Sequence, residues 1–376
     1  MQKIIIAGDF CSKERVEKVI KQKNYGQLFD GIKPVLEQSD YSIVNFEFPI
    51  VVHSAEAKPI PKCGPNLQGT IEAVEAVKYA GFDCCTLANN HILDQGEQCC
   101  LDTKKELEKA GIDTVGVGHN IGDAGVILYK QINGETLAII NCCEHEFSIA
   151  TESSAGANPI NPIQQYYKIQ EARLNADYVL VIVHGGHEHY QLPSPQMQEI
   201  FRFYIDAGAD AIVNGHQHCY SGYEEYKGKP IFYGLGNLCF DNPHKRNTMW
   251  NEGYMVELFF NKNTNPRYRL IPYTQCNDEY YIKLTTDIKT FNVNIARLNE
   301  IICNNDKLNQ EHIRFIYSNS SRYKRVFRPN DSMVSRILER LHILSVSRKY
   351  KLFLCAIVQC ESHRMRLLQI LKKSVK

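Results

Sequence analysis

The sequence predicts an α/β fold, and three observations carry that expectation. Short apolar runs alternate with helical patterns over roughly the first 260 residues, the order that builds a sheet with crossover helices. Two of the runs, TLAIINC (136–142) and DYVLVIV (177–183), are almost continuously apolar, as strands buried on both faces require. Residues with metal-ligand chemistry recur where the runs end, and open α/β sheets bind ligands outside the carboxyl ends of their strands.

From the N-terminus, KIIIAG (3–8) is a strand, and CSKERVEKVIKQ (11–22) reads as a helix with Ser12 as its cap. YSIVNFE (41–47) is a second strand. GTIEAVEAVKYAG (69–81) is a helix opened by Thr70 and stopped by Gly81, and FDCCTLA (82–88) is the strand after it. GEQCCLDTKKELEKAG (96–111) is again a helix ending in glycine. After the two apolar strands, PSPQMQEIFRFYIDAGA (193–209) has prolines where a helix tolerates them, at its start. DAIVNG (210–215) and KPIFYGLG (229–236) are strands, and 252–275 has an antiparallel pattern. From about 286 onward the chain is helical and increasingly basic, which gives a division into 1–280 and a helical C-terminal region, 281–376.

With 376 residues, 44% of them hydrophobic, the chain can bury one large core and carry an appendage. Lys+Arg is 43 and Asp+Glu is 42, so net charge gives no nucleic-acid signal and no such partner is expected. The charge is unevenly placed, however. Residues 322–376 hold 14 Lys or Arg against 3 Asp or Glu, a balance of +11 that leaves about −10 for the rest. Within this stretch, Val334, Ile337, Leu338, Leu341 and Leu344 fall at helical spacing over 331–345. The ordinary reading is a solvated face over a small helical core; the functional one is a basic surface for anionic polymer or a peripheral membrane contact. The opening run of MQKIIIAGDF is too short for a signal-peptide core, and no apolar run nears the roughly 20 residues that span a bilayer. The expected location is therefore cytoplasmic, at the membrane periphery if the tail meets lipid. The 14 cysteines lack matched CxxC pairs and read as reduced, mostly small core residues.

Strand 3–8 ends at Asp9, and strand 41–47 at Asn45 and Glu47. Strand 82–88 runs into Asn89, Asn90, His91 and Asp94, and strand 177–183 into His184, His187, Glu188 and His189. Strand 210–215 runs into His216 and His218, and strand 229–236 into Asn237. Carboxylates, amides and imidazoles together suit zinc, manganese or iron. Taken singly, an HxH is more often two loop histidines, and a GD after a strand is more often a turn. The ordered series at one sheet edge points to a shared polar site.

The order GD…NFE…NNHILDQG…HGGHE…GHQH…GKPIFYGLGN resembles the CapA family of capsule and poly-γ-glutamate synthesis proteins, over about residues 3–245. That family is similar to the calcineurin-like metallophosphoesterases. The resemblance implies a four-layer α/β/β/α sandwich with one or two divalent ions, Zn, Mn or Fe, at the sheet edges. By position it implies Asp9, Glu47, Asn90, His91, His184, His216 and His218 as metal ligands. His91, His187, Glu188 and Asp94 are the candidate catalytic residues: an imidazole to protonate a leaving group and a carboxylate to orient it or act as base. Three positions depart from the pattern. Phosphoesterases open with DxH, where this chain has Asp9-Phe10-Cys11; Glu47 stands where they place an aspartate; and Gly185 stands where CapA proteins usually carry an aromatic.

The residues and the resemblance together predict a metal-dependent hydrolase acting on a phosphoester or an anionic polymer in capsule or exopolymer synthesis. The alternative, in a different class, is a non-catalytic binding or assembly component of the polymer-synthesis machinery that keeps a degenerate metal site. A third reading is a purely structural histidine cluster.

Overall fold

The computed structural model describes residues 1–262, 264–318 and 348–374. The amphipathic stretch 331–345 lies outside the described residues. Among those described, the strands form one sheet of eight, one of six and an isolated pair. In the larger sheet, Gln2–Cys11, Tyr41–Phe46, Cys84–Thr86 and Asp113–Val115 run parallel, side by side. The hairpin Glu252–Phe260 and Arg267–Gln275 adds antiparallel to the other side of Gln2–Cys11, as the 252–275 pattern led one to expect. In the smaller sheet, Glu135–Cys143, Tyr178–His184, Ala211–Gly215 and Lys229–Phe232 are the parallel core.

Alternation along Gln2–Cys11 shows how the layers stack. Ile4 and Ile6 pack with Ile43, Cys84, Ile139 and Val181, residues of both sheets, in one core cluster. Ile5 and Ala7, on the opposite face, pack with Val16, Ile20, Val74 and Val77 of the covering helices Arg15–Lys21 and Glu72–Ala80. Ile169 and Phe201, from helices Pro162–Asn175 and Pro195–Asp206, join the cluster of the smaller sheet. The order is helix, sheet, sheet, helix, the four-layer arrangement. Phe291, Ile295, Leu298 and Ile302 of helix Ile288–Ile302 belong to that same cluster. No helix among the described residues is long and apolar enough to cross a membrane.

Several expectations change in detail. Helix Arg15–Lys21 starts at Glu14, so Ser12 is not its cap, and Glu72–Ala80 starts at Ile71 rather than Thr70, neither with a side-chain cap. Gly81 does close the latter in a left-handed conformation, and Ser194 Oγ caps Pro195–Asp206 by accepting from Met197 N–H at 3.1 Å. The run 229–236 is not one strand. Lys229–Phe232 stays in the smaller sheet, while the chain turns at Gly236 (φ +79°) and Asn237–Phe240 crosses to pair with Gln2–Cys11. That crossing is tight at Gly8: a Cβ there would lie 1.8 Å from the Gly236 carbonyl oxygen, so only glycine fits. No disulfide forms among the described residues, and most of the cysteines are buried.

Candidate metal centre

The parallel strands of both sheets end at the same edge, and register fixes which side chains meet there. Asp9 lies beside Asn45 on one flank and Asn237 on the other, and Gly215 lies beside His184. The loop after Ala211–Gly215 is not the extended backbone that would point His216 and His218 to one side. Both take positive φ, 89° and 56°, as does His189 at 59°. Non-glycine residues held there carry strain, which persists where the surroundings over-determine it and which clusters at functional sites.

In this backbone conformation the imidazoles meet their neighbours. His216 Nδ1 is 3.2 Å from His184 Nε2, and His218 Nδ1 is 2.9 Å from Asn237 Oδ1. Glu47 Oε1 lies 3.6 Å from His184 Nε2 and 3.8 Å from His218 Nε2. Asp9 accepts from Asn45 Nδ2 at 2.7 Å and from His216 N–H at 3.1 Å, and its Oδ2 is 3.7 Å from His218 Nδ1. Asn90 puts Oδ1 3.1 Å from His184 Nε2. Around Glu47, two groups of possible ligands emerge among the described residues, Glu47–His184–His216 and Asp9–Glu47–His218, each with its ligand atoms within 4.8 Å. Glu47 belongs to both.

Glu47 is fully buried, and among the described residues neither of its carboxylate oxygens has a hydrogen-bond partner. Burial first, then the neighbouring Asp9 charge, push its carboxyl well above the usual range. Burial and the imidazoles of His216 and His218 hold His184 well below its usual value, so it stays neutral and able to ligate. An orphaned buried carboxyl group beside the neutral His184 imidazole is the start of a donor set that a divalent cation fits.

The other sequence candidates sit around this centre in different roles. His91 turns Nδ1 to Asp94 Oδ2 at 2.6 Å, and Lys62 Nζ reaches both the same ring atom at 3.1 Å and Asp94 Oδ1. His91 therefore lies in neither ligand group. His187 is stacked on His312 with Nε2 to Nε2 at 3.1 Å, turned toward helix Asn305–Ser318. Glu188 is exposed and lines, with His187, His189 and His216, a cleft of about 700 Å³.

Sequence reasoning passed over Glu146. It accepts from Asn90 Nδ2 at 3.0 Å and lies 3.8 Å from His216 Nε2. The signal was available, because CCEHEFS ends strand Glu135–Cys143 as the other ligands end theirs. Lys62 and the distant His312, Cys360 and His363 gave none.

The family model described as "Bacterial capsule synthesis protein PGA_cap" matches residues 3–242. The capsule biosynthesis protein CapA of Bacillus anthracis is 35% identical over 63% of this chain and 59% of its own length. The PGA biosynthesis protein CapA of Bacillus subtilis is 34% identical over 70% of this chain and 69% of its own. The chain thus spans about three fifths of the first relative and two thirds of the second. Among solved structures, a putative 5'-nucleotidase from Staphylococcus aureus is 15% identical over 78% of this chain and 58% of that one, with a TM-score of 0.45.

Proposed function

The chain belongs to the bacterial capsule synthesis protein family PGA_cap, and from that premise we propose that it is a metal-dependent hydrolase of capsule or poly-γ-glutamate metabolism. Its substrate is a phosphoester or an amide linkage of an anionic polymer. The observation that carries this reading is Glu47, buried, unpartnered and common to both ligand groups. Asp9, Glu47 and His218 would hold one ion; Glu47, His184 and His216 would hold the other, with the Asn90 amide oxygen beside them. A divalent ion bound there supplies an acidified water and a polarised substrate oxygen.

The chain's own residues handle the rest. Asp94 accepts from His91 Nδ1, which fixes the ring and leaves Nε2 as the atom that takes up a proton from water and, from the protonated ring, passes it to the leaving group. Lys62 and the Leu67 N–H, 2.6 Å from Oδ2, hold Asp94 in place. His187 is committed to His312, so the proton-transfer role falls to His91. Glu188 stands at the cleft wall, where it meets substrate rather than core.

Metal analysis of protein purified without chelator, beside turnover of an aryl phosphomonoester, tests the proposal. Metal should be present, and His216→Ala or His218→Ala should lose most of it; a metal-free protein with no thermal shift on adding zinc or manganese overturns it. One observation favours the assembly-component reading. Cys11 occupies the place of the phosphoesterase imidazole, yet it is fully buried in the helix-side core and lies in neither ligand group. Bound metal without turnover of any phosphoester or polyglutamate would select that reading.

A further inference from the structure

Beyond the segment matched by the family, the C-terminal helices return to the cleft. Helix Glu361–Ser374 begins against the loop after strand Glu135–Cys143, residue facing residue. Ser362 Oγ donates to Glu144, with Oε1 at 2.7 Å and Oε2 at 2.8 Å. Glu361 accepts from His145 N–H at 3.0 Å and lies 2.6 Å from its Nδ1. His363 Nε2 is 3.4 Å from Glu146 Oε1. Gly185 makes room for this contact, since a Cβ there would fall 2.6 Å from Glu144 Cγ.

The contact brings together three groups that belong to neither ligand set of the paired centre. Glu146, Cys360 and His363 each offer one ligand atom, and these atoms lie within 4.8 Å of one another. We propose that Glu146, Cys360 and His363 form a further divalent-cation site of the zinc class, separate from the paired centre. Carboxylate oxygen, thiolate sulfur and imidazole nitrogen are together a zinc donor set, and a hard ion such as magnesium would not select the sulfur. Glu146 and the Cys360 thiolate contribute two negative charges against the two of the ion. All three residues line the same cleft, so the fourth coordination position opens to solvent or substrate, as in three-ligand catalytic sites. Binding breaks the Cys360 S–H bond, releases the proton to solvent and forms a sulfur–metal bond. Without an ion the thiol donates to Glu144 Oε2 at 3.3 Å, which is the plain alternative. Glu146 touches both sites: Oε1 faces His363 while Oε2 faces Asn90 and His216.

Cobalt titration of the chelator-stripped full chain tests this, because no ligand of the paired centre is a thiolate. Wild type should develop a sulfur-to-cobalt charge-transfer band. Cys360→Ser, which keeps a donor to Glu144, should abolish the band and lower zinc content by one ion per chain. His363→Ala should weaken cobalt binding at least about tenfold. His218→Ala should keep the band while losing metal from the paired centre, so failure of one site is distinguishable from failure of the other. Near-ultraviolet circular dichroism checks that each variant is folded. A wild type without the band, or a folded Cys360→Ser that retains it, overturns the proposal.

Discussion

A carboxylate buried without a donor, as Glu47 is, costs about 1–3 kcal/mol or more unless a positive charge joins it. Its raised pKa gives that cost a pH dependence whose sign can be worked out. The metal-free folded protein holds a proton on Glu47 that the unfolded chain releases near its ordinary value of about 4.3. Stability from this group is therefore complete below that value and is lost as pH rises toward the raised one. Chelator-stripped protein should melt at progressively lower temperature as pH rises above about 5, and Glu47→Gln should flatten that slope while abolishing metal binding. Equal slopes in the two proteins would remove Glu47 from this role. Asp9, Glu47, His184, His216 and His218 were legible in the sequence because each comes after an apolar run, at its C-terminal end. That Glu47 has no donor was not legible, since this depends on what every neighbouring side chain does. The role of Lys62 was equally hidden, because its loop comes to Asp94 only through tertiary folding.

Alternating periods located most strands and helices, but period does not say which sheet a strand joins. Both halves of 229–240 are apolar, and only the turn at Gly236 reveals that the chain leaves one sheet for the other. Pairing of this kind is long-range and leaves no local mark. The same holds where helix Glu361–Ser374 meets residues 144–146, an element contact between segments 216 or more positions apart. Ser362→Ala removes one of the Glu144 carboxylate's donors while Gly186 N–H, at 3.0 Å, remains. The loss should be about 1 kcal/mol, confined to the docking of this helix. Hydrogen exchange should accelerate in 361–374 and stay unchanged in strand Tyr178–His184; uniform acceleration, or none, would contradict a local contact.

On the scale of the molecule, the two large core clusters draw almost wholly on residues up to Leu308, and every ligand of the paired centre precedes residue 240. The segment 348–374 adds a small cluster in which Ile357 and Ile370 pack with Ile316, and one wall of the cleft. Its basic composition was plain in the sequence, but its place against the site was not, because no strand-end pattern marks Cys360 or His363. This division of labour has two consequences. Deleting 348–376 should leave the paired centre loaded, since its ligands and the strands that carry them are untouched. It should also lower the melting temperature, by about 2–4 °C for each kcal/mol lost, as the satellite cluster and the partners of Glu144 and His145 go. Metal content and calorimetry of the truncated chain read both at once. Loss of the paired-centre metal would mean that the C-terminal helices hold the site together rather than wall it, and an unchanged melting temperature would mean that their docking contributes nothing to the fold.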